Sequence, residues 1–257
     1  MGKVLNAELQ IRRVKNNMNS RSERVKRFFD KPHLYLHKDS GVFIRALIVR
    51  RLLGELSHSR ILDLGCGDGR ISLQYISQTN QITLVDLSDA MLKIARQNTP
   101  ETLKTNVNYI NTDLHNFESR DKFDVVICIG VLAHVASIED TVAKIAGFLK
   151  PGGRCIFQIT DADHFIGKFL VTFYRVRDFV VHFRGYSVNK TRLSYIKYLA
   201  HINRLTFLDK RQYWSILPAM GKMPNKWLWN YQIFTLTHDA LSRMGSEVIL
   251  FYEKSYN

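Results

Sequence analysis

Residues 61–70 read Ile-Leu-Asp-Leu-Gly-Cys-Gly-Asp-Gly-Arg. The apolar start predicts a buried strand, and three glycines at alternate positions follow it: Gly65, Gly67 and Gly69. Apolar residues at 71, 73 and 76 then predict the start of a helix. Because glycine has no side chain, the backbone N–H groups of such a strand–turn–helix unit can approach a ligand closely. Tight turns need the same glycines, so this stretch alone leaves a turn and a binding site equally open.

The composition is that of a globular protein with a full core. The chain has 257 residues, 46% hydrophobic and 23% charged, which predicts one large domain or one domain with an insertion. No apolar run is long enough to span a membrane, and the N-terminal residues lack the apolar centre of a secretory signal. Cys66, Cys128 and Cys155 stand in or beside apolar runs without metal-ligand spacing. We therefore expect reduced core thiols, no metal site and a cytoplasmic protein.

The net charge of +14 is concentrated at the two ends of the chain. Formal charge is +9 over residues 1–60, −2 over residues 61–160 and +7 over residues 161–257. Basic flanks of this kind favour an anionic partner: a phosphorylated metabolite, nucleic acid or an acidic membrane surface. The alternative interpretation is that lysine and arginine only solvate helices.

Strand and helix patterns alternate through the first two thirds of the chain. An amphipathic helix over residues 41–56 comes first. We expect five strands, at residues 61–64, 82–86, 107–111, 123–131 and 154–160. Ser88 and Ser137 are expected to begin two of the intervening helices. Such alternation predicts a parallel sheet with helices on both faces, which binds ligands at the carboxyl ends of its strands.

The last third departs from this alternation. Apolar residues at helical spacing over 165–183, with basic residues between them, predict a long basic amphipathic helix. A second helix from 189–191 to 202, a strand near 205–213, an aromatic loop and a final strand at 247–252 follow. We divide the chain into four parts: a basic N-terminal arm or cap (1–41), a ligand-binding core (42–160), a helical lid insertion (161–204) and the last strands that complete the sheet (205–257).

Acidic residues stand at or near the ends of four predicted strands. Asp86 ends the second strand, Asp113 and Asp161 follow the third and fifth strands, and Asp63 lies within the first. An acid that ends the second strand can accept both hydroxyls of a ribose. Asp113, with Leu114 beside it, suits an adenine ring. A carboxylate under the glycine loop favours a cationic amino-acid end over a pyrophosphate, which negative charge would repel.

Five segments in this order resemble the class I S-adenosylmethionine-dependent methyltransferases. They are DLGCGDG (63–69), VDLS (85–88), TDL (112–114), FDVVICIGVLAHV (123–135) and LKPGG (149–153). The resemblance covers roughly residues 42–160. It implies a Rossmann-like seven-stranded α/β methyltransferase sheet with helices on both faces, and the helical lid would follow the fifth strand. It also implies S-adenosyl-L-methionine as the methyl donor.

The resemblance assigns eleven positions to the donor. Asp63 would face its amino-acid end, with Gly65, Cys66 and Gly67 passing over the methionine part. The remaining positions are Asp86 and Leu87 for the ribose side, Asp113 and Leu114 for adenine, Ile129 and Gly130 beside the sulfonium, and Met91 closing the adenine pocket. Other interpretations stay open: the aspartates at the strand ends can be turn or helix caps, and Met91 can be a core residue.

Catalytic and acceptor-binding residues are less clearly marked. His134, after the fourth strand, is a candidate general base or an inert histidine of the pocket wall, and Asp161 is a second catalytic candidate. Many members of the family carry a bulky residue or a second histidine where Ala133 stands. The acceptor candidates are Tyr35, His164, Arg175, Arg177 and Arg184.

Two functions remain as hypotheses. The first is methylation of an O or N atom of a small, anionic metabolite, a sugar derivative or a lipid-linked acceptor. The second is RNA binding or RNA methylation through the basic flanks, with Trp214, Trp227, Trp229 and Tyr231 available for stacking. No asparagine-proline-proline-aromatic signature follows the fourth strand, which weakens base methylation. The pattern over 165–183 favours an acceptor lid, and two alternatives stay open: a helix packed wholly in the core and a peripheral membrane contact.

Overall fold

The computed structural model describes residues 21–33, 39–164, 189–213, 224–243 and 245–256. Seven strands form one sheet in the order β3-β2-β1-β4-β5-β7-β6. They are β1 (Arg60–Leu64), β2 (Gln81–Asp86), β3 (Val107–Asn111), β4 (Phe123–Cys128), β5 (Leu149–Thr160), β6 (Leu205–Tyr213) and β7 (Glu247–Lys254). Neighbouring strands from β3 to β5 are parallel, and β7 runs antiparallel to both β5 and β6. The predicted seven-stranded α/β sheet is confirmed.

Helices cover both faces of this sheet. They are α1 (21–29), α2 (Asp39–Leu53), α3 (Asp89–Asn98), α4 (Ile138–Phe148), α5 (Leu193–Ile202), α6 (Asn225–Thr237) and α7 (Asp239–Ser242). One apolar cluster joins the sheet to α4 and α5, with Ile145 and Ile196 fully buried. The other joins it to α2 and α3 through Ile48 and Leu92. The chain therefore has a core layer on each side of the sheet.

Hydroxyl caps begin two of the helices where the sequence predicts them. The side chain of Ser88 accepts a hydrogen bond from the backbone N–H of Met91, and that of Ser137 accepts one from Asp140. Each satisfies a backbone donor that the first helical turn leaves unpaired. Capping at Ser88 starts α3 directly after the end of β2.

The helix predicted after the glycines is wrong, because only the short 3-10 turn Leu73–Tyr75 forms there. The connection from the glycines must reach Gln81, where β2 begins. Hydrogen bonds from the side-chain amide of Asn80 hold this connection in place. Its Nδ2 donates to the carbonyl oxygens of Tyr75 at 2.8 Å and Leu56 at 2.9 Å. These two bonds, one within the connection and one to the end of the segment after α2, outweigh the weak helical pattern.

Three element boundaries also differ from the predictions. β4 ends at Cys128 because Gly130 has a φ of 77°, which extended strands do not adopt. β5 already begins at Leu149, before the predicted turn, and its pairing shifts register between Phe123 and Val125. α6 replaces part of the predicted aromatic loop.

The three cysteines are free and buried, as predicted for core thiols. Within the described parts of the chain, no helix is long and apolar enough to cross a membrane. The predicted basic helix over 165–183 lies outside the described residues, as do Tyr35, Arg175, Arg177 and Arg184.

Candidate functional site

The carboxyl ends of β1, β2, β3 and β4 surround one cavity. Its empty space is about 860 Å³, part of it open to solvent. Ten residues that the sequence assigns to a site line it: Gly65, Gly67, Asp86, Leu87, Met91, Asp113, Leu114, Ile129, Gly130 and His134. The cavity lies where the sheet order reverses between β1 and β4, the usual ligand position in open α/β sheets.

The glycine loop forms one wall of the cavity with its backbone. Gly65 has a φ of 72°, and a Cβ there would overlap the Cγ2 of Val131. The N–H groups of Gly65 and Cys66 donate to the carbonyl oxygen of Val85 at 2.7 Å and 3.1 Å. A side chain at Gly65 would therefore be both strained and in collision, which explains the glycine.

Asp86 joins this loop to the start of α3. Its Oδ2 accepts from the backbone N–H of Gly67 and its Oδ1 from that of Ser88, both at 2.8 Å. Burial raises the pKa of the Asp86 carboxyl, while these backbone bonds oppose the rise. The turn-forming role left open by the sequence is thus present, and the same carboxylate also lines the cavity. Each oxygen has two lone pairs, so a ligand hydroxyl can still donate to it.

The loop after β3 is held from two sides. Oδ1 of Asp113 accepts from the backbone N–H of His115 at 2.8 Å. From α4, the Nζ of Lys144 donates to the carbonyl oxygens of Leu114, His115 and Phe117 at 3.3, 2.5 and 2.9 Å. Nothing in its local pattern marks Lys144, because the contact spans about thirty residues of sequence.

Asp63 and Cys66, which the sequence assigns to the donor site, do not line the cavity. Asp63 is 2% exposed, and no described residue donates to its Oδ2. Burial raises the pKa of its carboxyl to about 7, partly opposed by a hydrogen bond with Ser72. The Cys66 side chain belongs to the apolar core, and burial raises the pKa of its thiol well above the usual value. A buried acid under the loop fits a cationic ligand group.

His134 also lines the cavity. Its backbone N–H donates to the carbonyl oxygen of Val131 at 2.7 Å, closing a turn after β4. Its ring meets the ring of Phe29 edge-on, with centroids 5.5 Å apart. The turn and the aromatic contact therefore hold His134 beside α1 at the cavity wall.

Helix α1 covers the cavity. Ser22, Val25, Lys26 and Phe29 line it from this helix. The Ser88 hydroxyl lies 2.7 Å from Oδ1 of Asp30 and anchors the end of the helix. The sequence predicts a basic arm here but does not assign these residues to the site. The signal that could have found them is the paired Phe28 and Phe29, the first aromatic residues in a polar segment.

A second anchor holds the beginning of α1. Arg21 donates from Nε to the carbonyl oxygen of His134 and from Nη2 to Oδ1 of Asn189, both at 3.0 Å. Asn189 in turn donates from Nδ2 to the carbonyl oxygen of Val135 at 2.7 Å. The arm, the histidine turn and the segment before α5 therefore meet at one point.

Asp161 and His164 do not line the cavity. Asp161 is buried, its N–H donates to the carbonyl oxygen of Ser246 at 2.8 Å, and its Oδ1 accepts from the N–H of Asp163 at 3.1 Å. Nε2 of His164 lies 3.3 Å from the carbonyl oxygen of Arg243. Both residues therefore contact the segment of this chain that directly precedes β7. Among the described residues, no group of three His, Cys, Asp or Glu side chains could hold a metal ion.

Comparison with known proteins agrees with this geometry. Residues 55–176 match a family model described as a methyltransferase domain. A protein of Rickettsia akari named ubiquinone biosynthesis O-methyltransferase is 32% identical over 103 residues, which are 40% of this chain and 41% of that protein. The chain thus spans about half or less of the length of the curated relatives that it matches.

Solved structures share the fold at low sequence identity. A methyltransferase of Thermotoga maritima, described as a possible histamine N-methyltransferase, has a TM-score of 0.61 and 17% identity. The match covers 91% of this chain and 100% of that one. Magnesium protoporphyrin IX methyltransferase of Synechocystis, solved with bound SAH, has a TM-score of 0.55 and 18% identity. That match covers 85% of this chain and 84% of the other.

Proposed function

We propose that this chain, whose residues 55–176 match a family model described as a methyltransferase domain, is an S-adenosylmethionine-dependent enzyme that methylates an oxygen atom of a small acceptor molecule. One observation carries the proposal. The cavity at the reversal point of the sheet brings together the glycine loop, Asp86, the loop after β3 and His134. These elements supply a backbone wall, a hydroxyl acceptor, an apolar slot and a titratable group around one ligand-sized space.

We propose one orientation of the donor in this space. We assign its ribose to Asp86 and its adenine to the slot formed by Leu87, Met91 and Leu114, which line the cavity. Its cationic amino group would lie towards Asp63, whose buried Oδ2 no described residue satisfies. A cation there would offset the burial that raises the pKa of the Asp63 carboxyl. The methyl group would then stand near Gly130 and His134.

His134 is our candidate for the proton acceptor. S-adenosylmethionine, when bound, supplies a methyl group already activated by the sulfonium. His134 would take the hydroxyl proton of the acceptor as the oxygen–carbon bond forms and the carbon–sulfur bond breaks. Phe29 and the rest of α1 would exclude water from the reacting atoms. Much of the acceleration would come from alignment within this closed space.

A small acceptor agrees better with the cover over the cavity than a polynucleotide does. Helix α1 lies across it and is anchored at both ends. Of the tryptophans offered for RNA stacking, Trp229 stacks on Phe43, with ring centroids 4.1 Å apart. Trp214 lies outside the described residues, and Trp227 is exposed on α6. The names of the curated relatives support an oxygen acceptor. We also propose a cytoplasmic location, which suits the free thiols.

Calorimetry with S-adenosylhomocysteine tests the donor site. The wild-type protein should bind one equivalent. Asp86→Ala should weaken binding by about 1–3 kcal/mol, the cost of leaving a buried polar group without its hydrogen-bond partner. Asp89→Ala is the matched control, because Asp89 lies three residues on and pairs with Lys93 on the surface. Absence of binding to the wild type would refute the proposal. Equal binding by Asp86→Ala would remove Asp86 from the site.

Methyl transfer tests the acceptor class. Labelled S-adenosylmethionine would be incubated with a panel of small phenols and amines and, separately, with a mixed RNA pool. Mass spectrometry would then locate the added methyl group. We expect a product methylated on oxygen among the small molecules. Label found in RNA alone would favour the RNA hypothesis instead.

A further inference from the structure

The turn that carries His134, which we call the histidine turn (131–135), is held by its carbonyl oxygens. The carbonyl oxygen of Val131 accepts from the backbone N–H of His134, as described above. The carbonyl oxygens of the next four residues all accept hydrogen bonds from parts of the chain that are distant in sequence. The position of the turn therefore depends on those other segments as well as on its own closing bond.

Asn189 supplies three of these four long-range bonds. Its backbone N–H donates to the carbonyl oxygen of Ala133 at 2.7 Å. Its side-chain Nδ2 donates to the carbonyl oxygens of Val135 at 2.7 Å and Leu132 at 3.3 Å. Because hydrogen bonds are directional, three bonds from one residue fix both the place and the orientation of the turn.

Arg21 supplies the fourth bond from α1. Its Nε donates to the carbonyl oxygen of His134, and its Nη2 donates to Oδ1 of Asn189, both at 3.0 Å. Bonds from a charged donor are stronger than those between neutral groups. Since Arg21 belongs to the helix that covers the cavity, the turn has its full set of hydrogen bonds only while α1 lies in place.

The held turn is also part of the cavity wall. Val131, His134 and Val135 line the cavity, whereas Asn189 and Arg21 do not. A general base must stand within hydrogen-bond reach of the proton that it takes, and a displacement of about 1 Å can cost about a hundredfold in rate. Residues outside the cavity thus set where the candidate base stands.

We infer that Asn189 is a positioning residue for His134, and that Arg21 completes this support from the cover helix. The inference rests on the proposed function and deepens it. Asn189 would act through the backbone of the histidine turn and would not contact the acceptor. The base would be held ready for proton transfer only when α1 covers the cavity and excludes water from it.

A double-variant experiment tests whether Asn189 acts through His134. Asn189→Ala should lower kcat about tenfold or more for the panel phenol that the wild type methylates, and should leave affinity for S-adenosylhomocysteine within about threefold. In the His134→Gln background the same change should alter kcat by no more than about twofold, because losses at residues that act through one group do not add. Asn189→Asp, which lacks the Nδ2 donors but keeps an acceptor for Arg21, is the second variant if Asn189→Ala does not fold.

A spectroscopic experiment needs no acceptor. In the NMR spectrum of protein with carbon-13-labelled histidine rings, the His134 signal is the one that His134→Gln removes. Asn189→Ala should shift or broaden this signal, because the turn that carries the ring loses three bonds. The signal of His201, at the exposed end of α5, should stay unchanged.

Asn106→Ala is the matched control for Asn189→Ala. The Nδ2 of Asn106 also donates to two backbone carbonyl oxygens, those of Gln78 and Asn80, both at 3.2 Å. Asn106 does not line the cavity. Its replacement should therefore keep both the wild-type kcat and the wild-type His134 signal.

Arg21→Met tests the support from α1 and should also lower kcat about tenfold or more. Arg27→Met is its control, because Arg27 lies on the same helix and pairs with Glu23 on the surface at 3.7 Å. It should keep the wild-type kcat.

Four results would overturn the inference. They are an unchanged kcat in Asn189→Ala, a further tenfold loss in the His134→Gln background, a tenfold fall in affinity for S-adenosylhomocysteine, and an unchanged His134 signal. Failure of the wild type to bind S-adenosylhomocysteine would instead refute the proposed function. The NMR experiment needs no ligand, so the two failures are distinguishable.

Discussion

The carboxylate of Asp86 accepts a hydrogen bond from the backbone N–H of Gly67, with 2.8 Å between Oδ2 and the nitrogen. Asp86 ends β2, and Gly67 follows the neighbouring strand β1. One side chain therefore helps set the shape of the glycine loop. The same carboxylate lines the cavity. The proposed donor site and the geometry of the glycine loop therefore share a single group.

Asp86 should contribute to stability as well as to binding. Asp86→Ala leaves the N–H groups of Gly67 and Ser88 without their acceptor, which should lower the free energy of unfolding by about 1–3 kcal/mol. Asp86→Asn keeps an acceptor oxygen and should lose less. Urea denaturation without ligand measures the effect, with Asp89→Ala as the control. Equal stability of Asp86→Ala and the wild type would show that the loop does not need this bond.

Lys144 should control donor affinity from outside the cavity. Lys144→Met removes the cation that holds the carbonyl oxygens of Leu114, His115 and Phe117, and the loop carrying Asp113 should loosen. We expect affinity for S-adenosylhomocysteine to fall about tenfold, equivalent to one or more lost charge-assisted bonds. Lys144→Arg should restore part of it. Calorimetry measures the affinity, and hydrogen exchange should rise at residues 114–117.

The exposed Lys93 supplies the control for Lys144. It forms a surface pair with Asp89, and such pairs contribute little to stability. Lys93→Met should therefore leave both affinity and hydrogen exchange unchanged. If Lys144→Met behaves like Lys93→Met, the loop is held by its own turn and not by the lysine.

Gly65 should not tolerate even a methyl group. Gly65→Ala combines a positive φ with an overlap onto Val131 and should cost about 1–3 kcal/mol of unfolding free energy. The double variant Gly65→Ala/Val131→Ala should regain the unfolding free energy lost to the overlap but not the part lost to backbone strain. Gly147→Ala is the contrasting control: it lies within α4, and no described heavy atom would come within 4 Å of its Cβ. It should be neutral or stabilising.

The buried acid Asp63 should make stability depend on pH. Its pKa in the folded chain, about 7, lies above the ordinary value of 3.8. Between about pH 4 and pH 7 the folded chain keeps a proton that the unfolded chain has released, so stability falls as pH rises through this window. As the pH rises from about 4 to about 7, the melting temperature of the wild type should fall by about 3 °C or more relative to that of Asp63→Asn.

S-adenosylhomocysteine should reduce this fall, because its cationic amino group favours the ionised carboxylate. Asp89→Asn is the control. A hydrogen bond with Lys93 lowers the pKa of the Asp89 carboxyl, so its titration lies below the window. A melting temperature difference between wild type and Asp63→Asn that stays constant from pH 4 to pH 8 would contradict the prediction.

His134 should affect turnover and not donor binding. If it is the base, His134→Gln should lower kcat by about a hundredfold or more while the affinity for S-adenosylhomocysteine holds. Single-turnover transfer to a phenol from the panel measures this. His201→Gln, at the exposed end of α5, should have no effect. A loss of only a few-fold at His134 would assign catalysis to positioning alone.

The sequence by itself determined the sheet and half of the residues that line the cavity. Parallel βα units bring every strand's carboxyl end to one edge, so Gly65, Asp86 and Asp113 had to meet once their strands were recognised. The hydrophobic periods of strands (two residues) and helices (3.6 residues) are local features of the sequence, and so are serine caps. They predict strands and helices without knowledge of the residues packed on the other side of the core.

Tertiary structure alone decided the rest. The side chains of Lys144 and Arg21 reach their partners across gaps of about 30 and 168 residues, and no local pattern encodes such distances. The antiparallel direction of β7 put Glu247 at the edge of the sheet where β5 and β6 end. Asp161 hydrogen-bonds to Ser246 and does not line the cavity, although its place directly after β5 is similar to that of Asp86 at the end of β2. Acidic residues at the ends of different strands, such as Asp86 and Asp161, look equivalent in the sequence. Only contacts between residues that are distant in sequence decide which of them line the cavity.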